Sequence, residues 1–151
     1  MARKRIELAQ NFLIDHKLVQ EIVTSSNISR KDAVIEIGPG EGIITNQLAK
    51  IAGTIVAVEV DYELFKKLSD RFRETKHVKI IHGDFMNFSA PDGEYKVFAN
   101  IPFNLTSDIV RKLLDSPNPP ITAHLIMQME AAMKFAGIPS ETEFSVFWKP
   151  W

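Results

Sequence analysis

Apolar residues recur along this chain with two spacings, and the spacing switches at regular intervals. Leu18, Val19, Ile22 and Val23 lie at helical spacing behind Asp15, a helix-capping residue type, and Ser25-Ser26-Asn27 closes the run. Residues 32–37 then read as a strand with Val34, Ile35 and Ile37 apolar. Ile44, Leu48 and Ile51 predict a helix over 43–51, and residues 54–60 a second strand. Asp61 caps a predicted helix over 62–73, with Leu64, Phe65, Leu68 and Phe72 on its core face. Strands follow at 78–81, 95–99 and 123–129, with helices at 105–114 and 130–136. Pro91-Asp92-Gly93 and Pro117-Asn118-Pro119-Pro120 mark loops between them. Residues 143–148 read as a sixth strand. Strand and helix alternate without an internal repeat, which predicts an α/β fold: a mostly parallel sheet with helices on both faces.

Composition narrows the chemistry. The chain has 151 residues, enough for one domain with a sizeable core, and 45% are apolar. No apolar run reaches membrane-spanning length, and no signal-peptide core follows the basic arm Arg3-Lys4-Arg5. The formal net charge is −1, so a nucleic-acid surface has to be a local patch or lie outside this chain. Cysteine is absent, which fits a reducing compartment and a cytoplasmic location. It also excludes thiolate nucleophiles and cysteine-ligated metals.

Polar candidates gather where strands end. The first strand runs into Gly38-Pro39-Gly40-Glu41-Gly42 and a helix, the opening half of a nucleotide-binding βαβ unit. Its Gly-x-Gly-x-Gly spacing differs from the dinucleotide fingerprint. Glu36, inside an apolar strand, has two uses open to it: accepting from loop amides, or from a ligand ammonium. Glu59 ends the second strand about 20 residues past Gly38, where an acid grips ribose hydroxyls in such folds. Asp84 follows the third strand, as a turn residue or an acceptor for an adenine amino group. Phe85 beside it either flanks an adenine ring or fills the core. His82 has no partner acid or nucleophile close by in sequence and reads as structural, and Met127, Met129 and Met133 read as core filler.

Asn100-Ile101-Pro102-Phe103 follows the fourth strand. Asn offers a carbonyl acceptor. Pro102 has no N–H and holds Ile101 extended, so the Ile101 carbonyl can face a ligand. Phe103 offers a flat face for stacking. Two acceptors beside an aromatic plate suit a planar ring bearing an exocyclic amino group. Alternatively the stretch is only a turn with one core Phe.

Taken together, Gln10-Asn11-Phe12-Leu13, Glu36-Ile37-Gly38-Pro39-Gly40-Glu41-Gly42, Glu59-Val60-Asp61, Gly83-Asp84-Phe85 and Asn100-Ile101-Pro102-Phe103-Asn104 resemble the ribosomal RNA adenine-N6 methyltransferases that use S-adenosylmethionine. Ala99 to Phe103 and the tail Phe144-Ser145-Val146-Phe147-Trp148-Lys149-Pro150-Trp151 look more like the erythromycin-resistance (Erm) branch than the housekeeping small-subunit dimethyladenosine transferases. The resemblance implies a Rossmann-like methyltransferase fold. It implies that Gly38 and Gly40 meet the methionine part of the cofactor and that Asn11 and Leu13 close over it. Glu59 would hold the ribose, and Asp84 the cofactor's adenine amino group, with Val60 and Phe85 beside the ring. Asn100 and the Ile101 carbonyl, backed by Pro102, would bind the target amino group at the cofactor's methyl end, while Phe103 stacks on the base. No metal is implied.

The resemblance also implies that relatives extend beyond the last residue of this chain, with a further strand and a small helical RNA-binding domain. The chain then reads as a truncated catalytic domain that self-associates through Leu125, Met127, Phe144, Val146 and Trp148. Two rivals stand beside it. A nicotinamide-dependent oxidoreductase explains the glycine loop and Glu59 but not residues 100–103. A non-catalytic nucleic-acid-binding relative would not need a complete Asn-Ile-Pro-Phe site.

Overall fold

The computed structural model describes residues 15–140. The alternation read from the sequence becomes α1 (His16–Ser25), β1 (Ala33–Ile37), α2 (Ile43–Ile51), β2 (Thr54–Glu59), α3 (Tyr62–Phe72), β3 (Val78–His82), β4 (Lys96–Asn100), α4 (Thr106–Leu114), β5 (Thr122–Ile126) and α5 (Met129–Ala136). Single 3₁₀ turns at Phe85–Asn87 and Phe103–Leu105 follow β3 and β4. Asp15 caps α1 by accepting from the Lys17 and Leu18 amides, and Asp61 caps α3 in the same way. The expected sixth strand and the motif residues Gln10, Asn11, Phe12 and Leu13 lie outside the described residues.

The five strands form one sheet in the order β3-β2-β1-β4-β5, and every pairing is parallel. The chain moves outward from β1 through β2 to β3, then returns to lay β4 on the other side of β1. The reversal leaves a switch point between β1 and β4, where adjoining loops diverge and open a crevice.

Two apolar clusters hold the layers together. On one face, Val19 and Val23 of α1, Leu48 of α2, and Leu68 and Phe72 of α3 pack over Val34, Ile55 and Phe98. On the other, Ile109 and Leu113 of α4 pack over Ile35, Ile37, Val97 and Ala99. Both faces of the central strands are therefore dry, which is why these strands are apolar without alternation. α5 buries none of its side chains, and Met129 and Met133 are exposed rather than core.

Several element ends differ from the sequence reading. β5 stops at Ile126 instead of residue 129, because its partner stops. The last cross-strand bond runs from the Ile101 amide to the Ile126 carbonyl, and Pro102 has no N–H to continue the ladder. β4 is shifted by one residue to Lys96–Asn100. Its first residue, Lys96, is a cation in what read as a wholly apolar run. Lys96 is buried because its ammonium donates to the Asp32 carboxylate at 3.1 Å and to the Asn27 carbonyl. β2 ends at Glu59, one residue early, since Glu59 turns back onto the Asp61 amide and leaves Val60 exposed. α4 starts at Thr106 rather than 105, preceded by the 3₁₀ turn.

Candidate active site

Because all strands run the same way, the loops after β3, β2, β1 and β4 share one edge. Asp84, Glu59, the glycine loop and Asn100 therefore line up in that spatial order, across about 14 Å at ordinary strand spacing. The four candidates were separated in sequence and are gathered by the topology.

The glycine loop is built for backbone exposure. Gly38, Gly40 and Gly42 have φ of 63°, 58° and 77°, a region that side chains strain. A β-carbon on Gly38 would meet nothing within 4 Å, so this side of the loop is open. Gly42 is different. A β-carbon there would come within 2.5 Å of Leu68 and 3.1 Å of the Arg71 guanidinium, so its bareness lets α2 seat against α3. The Arg71 side chain also donates to the Glu41 carbonyl at 2.6 Å, tying the loop to α3. Gly42→Ala should combine backbone strain with overpacking. It should lower the unfolding free energy by about 1–3 kcal/mol in a denaturant titration, whereas Gly38→Ala should carry strain alone.

Glu59 is 2% exposed and braces the crevice. One carboxylate oxygen accepts from the Gly40 amide and the other from the Asp61 amide, both at 2.9 Å. Burial raises its pKa, and the Asp61 and Gly40 amides pull it back. A carboxylate has about four acceptor directions, so two stay available to ligand hydroxyls.

Asp84 caps the 3₁₀ turn by accepting from the Met86 amide at 2.8 Å, and the side chain is otherwise exposed. Phe85 fills the core, the second of the two uses open to it. It is buried, stacked on Phe88 with centroids 6.0 Å apart, and lies under the Lys112 ammonium. Val60 is 53% exposed, an apolar side chain on the rim next to Glu59. His82 Nε2 donates to the Val60 carbonyl, and the ring packs on Tyr62 and Phe65, a structural placement.

On the far side of the switch point, Asn100 is half-buried at the end of β4 and Ile101 is buried. The Ile101 peptide is fixed by its amide bond to Ile126. Pro102 is extended (φ −59°, ψ 138°), and Phe103 is 41% exposed, a plate rather than a core residue. A residue absent from the sequence reading holds this stretch in shape. Thr106, buried at the start of α4, places its hydroxyl 3.3 Å from the carbonyls of both Pro102 and Phe103, to which it donates. Only a Thr three residues beyond Phe103, at a helix start, hinted at it. Lys112 acts similarly across the site by donating to the Met86 carbonyl.

Glu36 is 1% exposed on β1, below the glycine loop. It takes no loop amide, the first of its two possible uses. Neither carboxylate oxygen has a hydrogen-bond partner among the described residues, and the neighbouring Thr45 hydroxyl has none either. Burial raises its pKa to about 8; Thr45 opposes the rise and the Glu59 charge adds to it. A buried carboxyl with no partner beside an open backbone loop fits a site that takes a cation-bearing ligand. Among the described residues no three His, Cys, Asp or Glu side chains converge as a metal would need. No described helix is long and apolar enough to cross a membrane.

Comparison with known proteins agrees with this geometry. The chain is 39% identical over 147 residues to an rRNA adenine N-6-methyltransferase of Corynebacterium diphtheriae, covering 97% of this chain and 57% of that protein. It is 35% identical to ribosomal RNA small subunit methyltransferase A of Listeria monocytogenes, covering 91% of this chain and 50% of the relative. Its fold superposes on the crystal structure of the 23S rRNA methyltransferase ErmE with a TM-score of 0.81 at 28% identity, covering 91% of this chain and 57% of that one. The chain thus spans about half the length of these relatives, 50% to 57%. The model of the ribosomal RNA adenine dimethylase family matches residues 1–149, and the chain belongs to that family.

Proposed function

We propose that this chain is the cofactor-binding and catalytic part of an S-adenosylmethionine-dependent enzyme that methylates the exocyclic N6 of an adenine in ribosomal RNA. The observation that carries the reading is the shared edge: ribose-type acid, open glycine loop and Asn-Ile-Pro-Phe stretch are adjacent across the switch point. Proteins named for each branch, a ribosomal RNA small subunit methyltransferase A and the 23S rRNA methyltransferase ErmE, match the chain. The Ala99-to-Phe103 stretch and the 144–151 tail favour the Erm branch, with large-subunit RNA as substrate and macrolide resistance as outcome. A cytoplasmic location follows from a ribosomal substrate.

When bound, the cofactor supplies a methyl carbon activated by a positively charged sulfur. The chain's residues do the positioning. Gly38 and Gly40 admit the methionine part, Glu59 accepts from the ribose hydroxyls, and Asp84 accepts from the adenine amino group, with Val60 beside the ring. Asn100 and the Ile101 carbonyl accept from the target amino group. That draws its hydrogens out of the ring plane and frees the nitrogen lone pair for in-line attack. The proton surplus on the target nitrogen would be released to water. Phe103 stacks on the base, which has to be single-stranded or flipped out to enter.

The chain itself gives a direct test. It should bind S-adenosylhomocysteine, the demethylated product, in calorimetry and show no saturable binding of NAD; the reverse preference would select the oxidoreductase reading. Of the residues expected to carry self-association, Leu125 and Met127 are half-buried against the core, and Phe144, Val146 and Trp148 lie outside the described residues. Exposed Ile121, Met129 and Ile138 around β5, a strand paired on one side among the described residues, favour self-association of the 151-residue chain instead. Light scattering should report species larger than a monomer, and a strictly monomeric chain would remove that part of the reading.

A further inference from the structure

The Glu36 carboxyl is the one fully buried acid whose oxygens both go unmatched among the described residues. Burial of this depth disfavours the charged form and leaves the group neutral, although the Thr45 hydroxyl and amide oppose that. The charge that acts on it is that of Glu59, on β2, which also disfavours ionisation; α2 presents uncharged donors, the Thr45 hydroxyl and backbone amide. Glu36 is two residues before Gly38, where the loop turns into its open conformation. On the reading above, this loop receives the methionine part of the cofactor, which carries an ammonium group.

We infer that Glu36 is a neutral acid in the cofactor-free protein, that seating the cofactor's ammonium at the glycine loop ionises it, and that cofactor capture therefore releases one proton. Thr45, whose hydroxyl is unmatched in the same pocket, is the donor positioned to stabilise the carboxylate once it forms. This inference rests on the cofactor assignment and adds to it a coupled proton and two residues, Glu36 and Thr45.

The direction of the coupling follows from the two states. Without cofactor the group titrates at about 8. A cation within about 6 Å favours the charged form and lowers a carboxyl pKa by roughly one to three units. Between those two midpoints, binding expels a proton, so affinity rises with pH by up to about tenfold per unit and levels off above the free-state midpoint. Stability of the cofactor-free protein runs the other way. A folded-state pKa raised above 4.5 contributes stability that is complete below that value and is lost as pH rises to about 8.

The test is calorimetry of S-adenosylhomocysteine binding at pH 7 in two buffers of different ionisation enthalpy, with wild type, Glu36→Gln and Thr45→Val. Wild type should release roughly 0.4 to 0.9 of a proton per ligand, and Glu36→Gln none, with weaker, pH-independent affinity. Thr45→Val should still release protons but with a higher binding midpoint. Carbon-13 NMR of the glutamate carboxyls should place Glu36 well above pH 7 in the cofactor-free protein, and thermal melts at pH 8 should show Glu36→Gln stabilised. A free-state midpoint below about 5.5, or tight binding by wild type with no proton released, would overturn the inference while leaving the cofactor assignment intact. A high midpoint with no binding of S-adenosylhomocysteine would instead overturn the cofactor assignment and the coupling with it.

Discussion

Replacing Asn100 by alanine in the full-length parent is expected to lower the rate of methyl transfer by roughly 100- to 1,000-fold, the scale seen when one preorganised hydrogen-bonding group is removed from a reacting centre. Affinity for S-adenosylhomocysteine should stay nearly unchanged, because the cofactor's ribose and adenine contacts sit on the other side of β1. The effect should appear in kcat. The Ile101 carbonyl would remain, but one acceptor cannot orient both amino hydrogens. Phe103→Ala should cost about 1–3 kcal/mol through lost stacking, while Phe103→Tyr should be tolerated. Rapid-quench transfer assays together with calorimetry separate the two arms. Near-normal turnover of Asn100→Ala would dismiss the amino-group acceptors.

The second large effect is expected at the cofactor's other end. Glu59→Ala and Asp84→Ala should each weaken S-adenosylhomocysteine binding by about 1.5–3 kcal/mol, roughly tenfold to more than a hundredfold. The Glu59 change should be the larger. It removes the ligand contact and also unties the Gly40 and Asp61 amides, so the glycine loop loses its brace. Asp84 holds only its own turn, through the Met86 amide, and that turn keeps the Lys112 bond to the Met86 carbonyl. Unchanged affinity in both variants, with circular dichroism showing the fold intact, would remove these two acids from the site.

The crevice was legible in the sequence because its parts are short motifs fixed to strand ends. Glycines that need positive φ, an acid about one βα unit later and a Pro after an Asn each announce themselves locally. The parallel order followed from alternation alone. What stayed hidden depends on partners far apart in the chain. Lys96 read as part of an apolar run because the Asp32 that neutralises it belongs to another strand's approach. Thr106 looked like any helix start, since its role lies in two carbonyls that meet it only after the chain turns. Phe85 could not be divided between ring-flanking and core until Phe88 and Lys112 were seen against it. The end of β5 was set by Pro102 on the neighbouring strand, not by β5's own apolar residues.

The most direct measurement of the central claim is nucleoside mass spectrometry of naked ribosomal RNA after incubation with labelled S-adenosylmethionine and the full-length parent. Wild type should give labelled N6-methyladenosine or its dimethyl form at a defined position, and Asn100→Ala should give almost none at equal cofactor occupancy. Label on another base or another adenine atom, or undiminished N6 label in Asn100→Ala, would contradict the account.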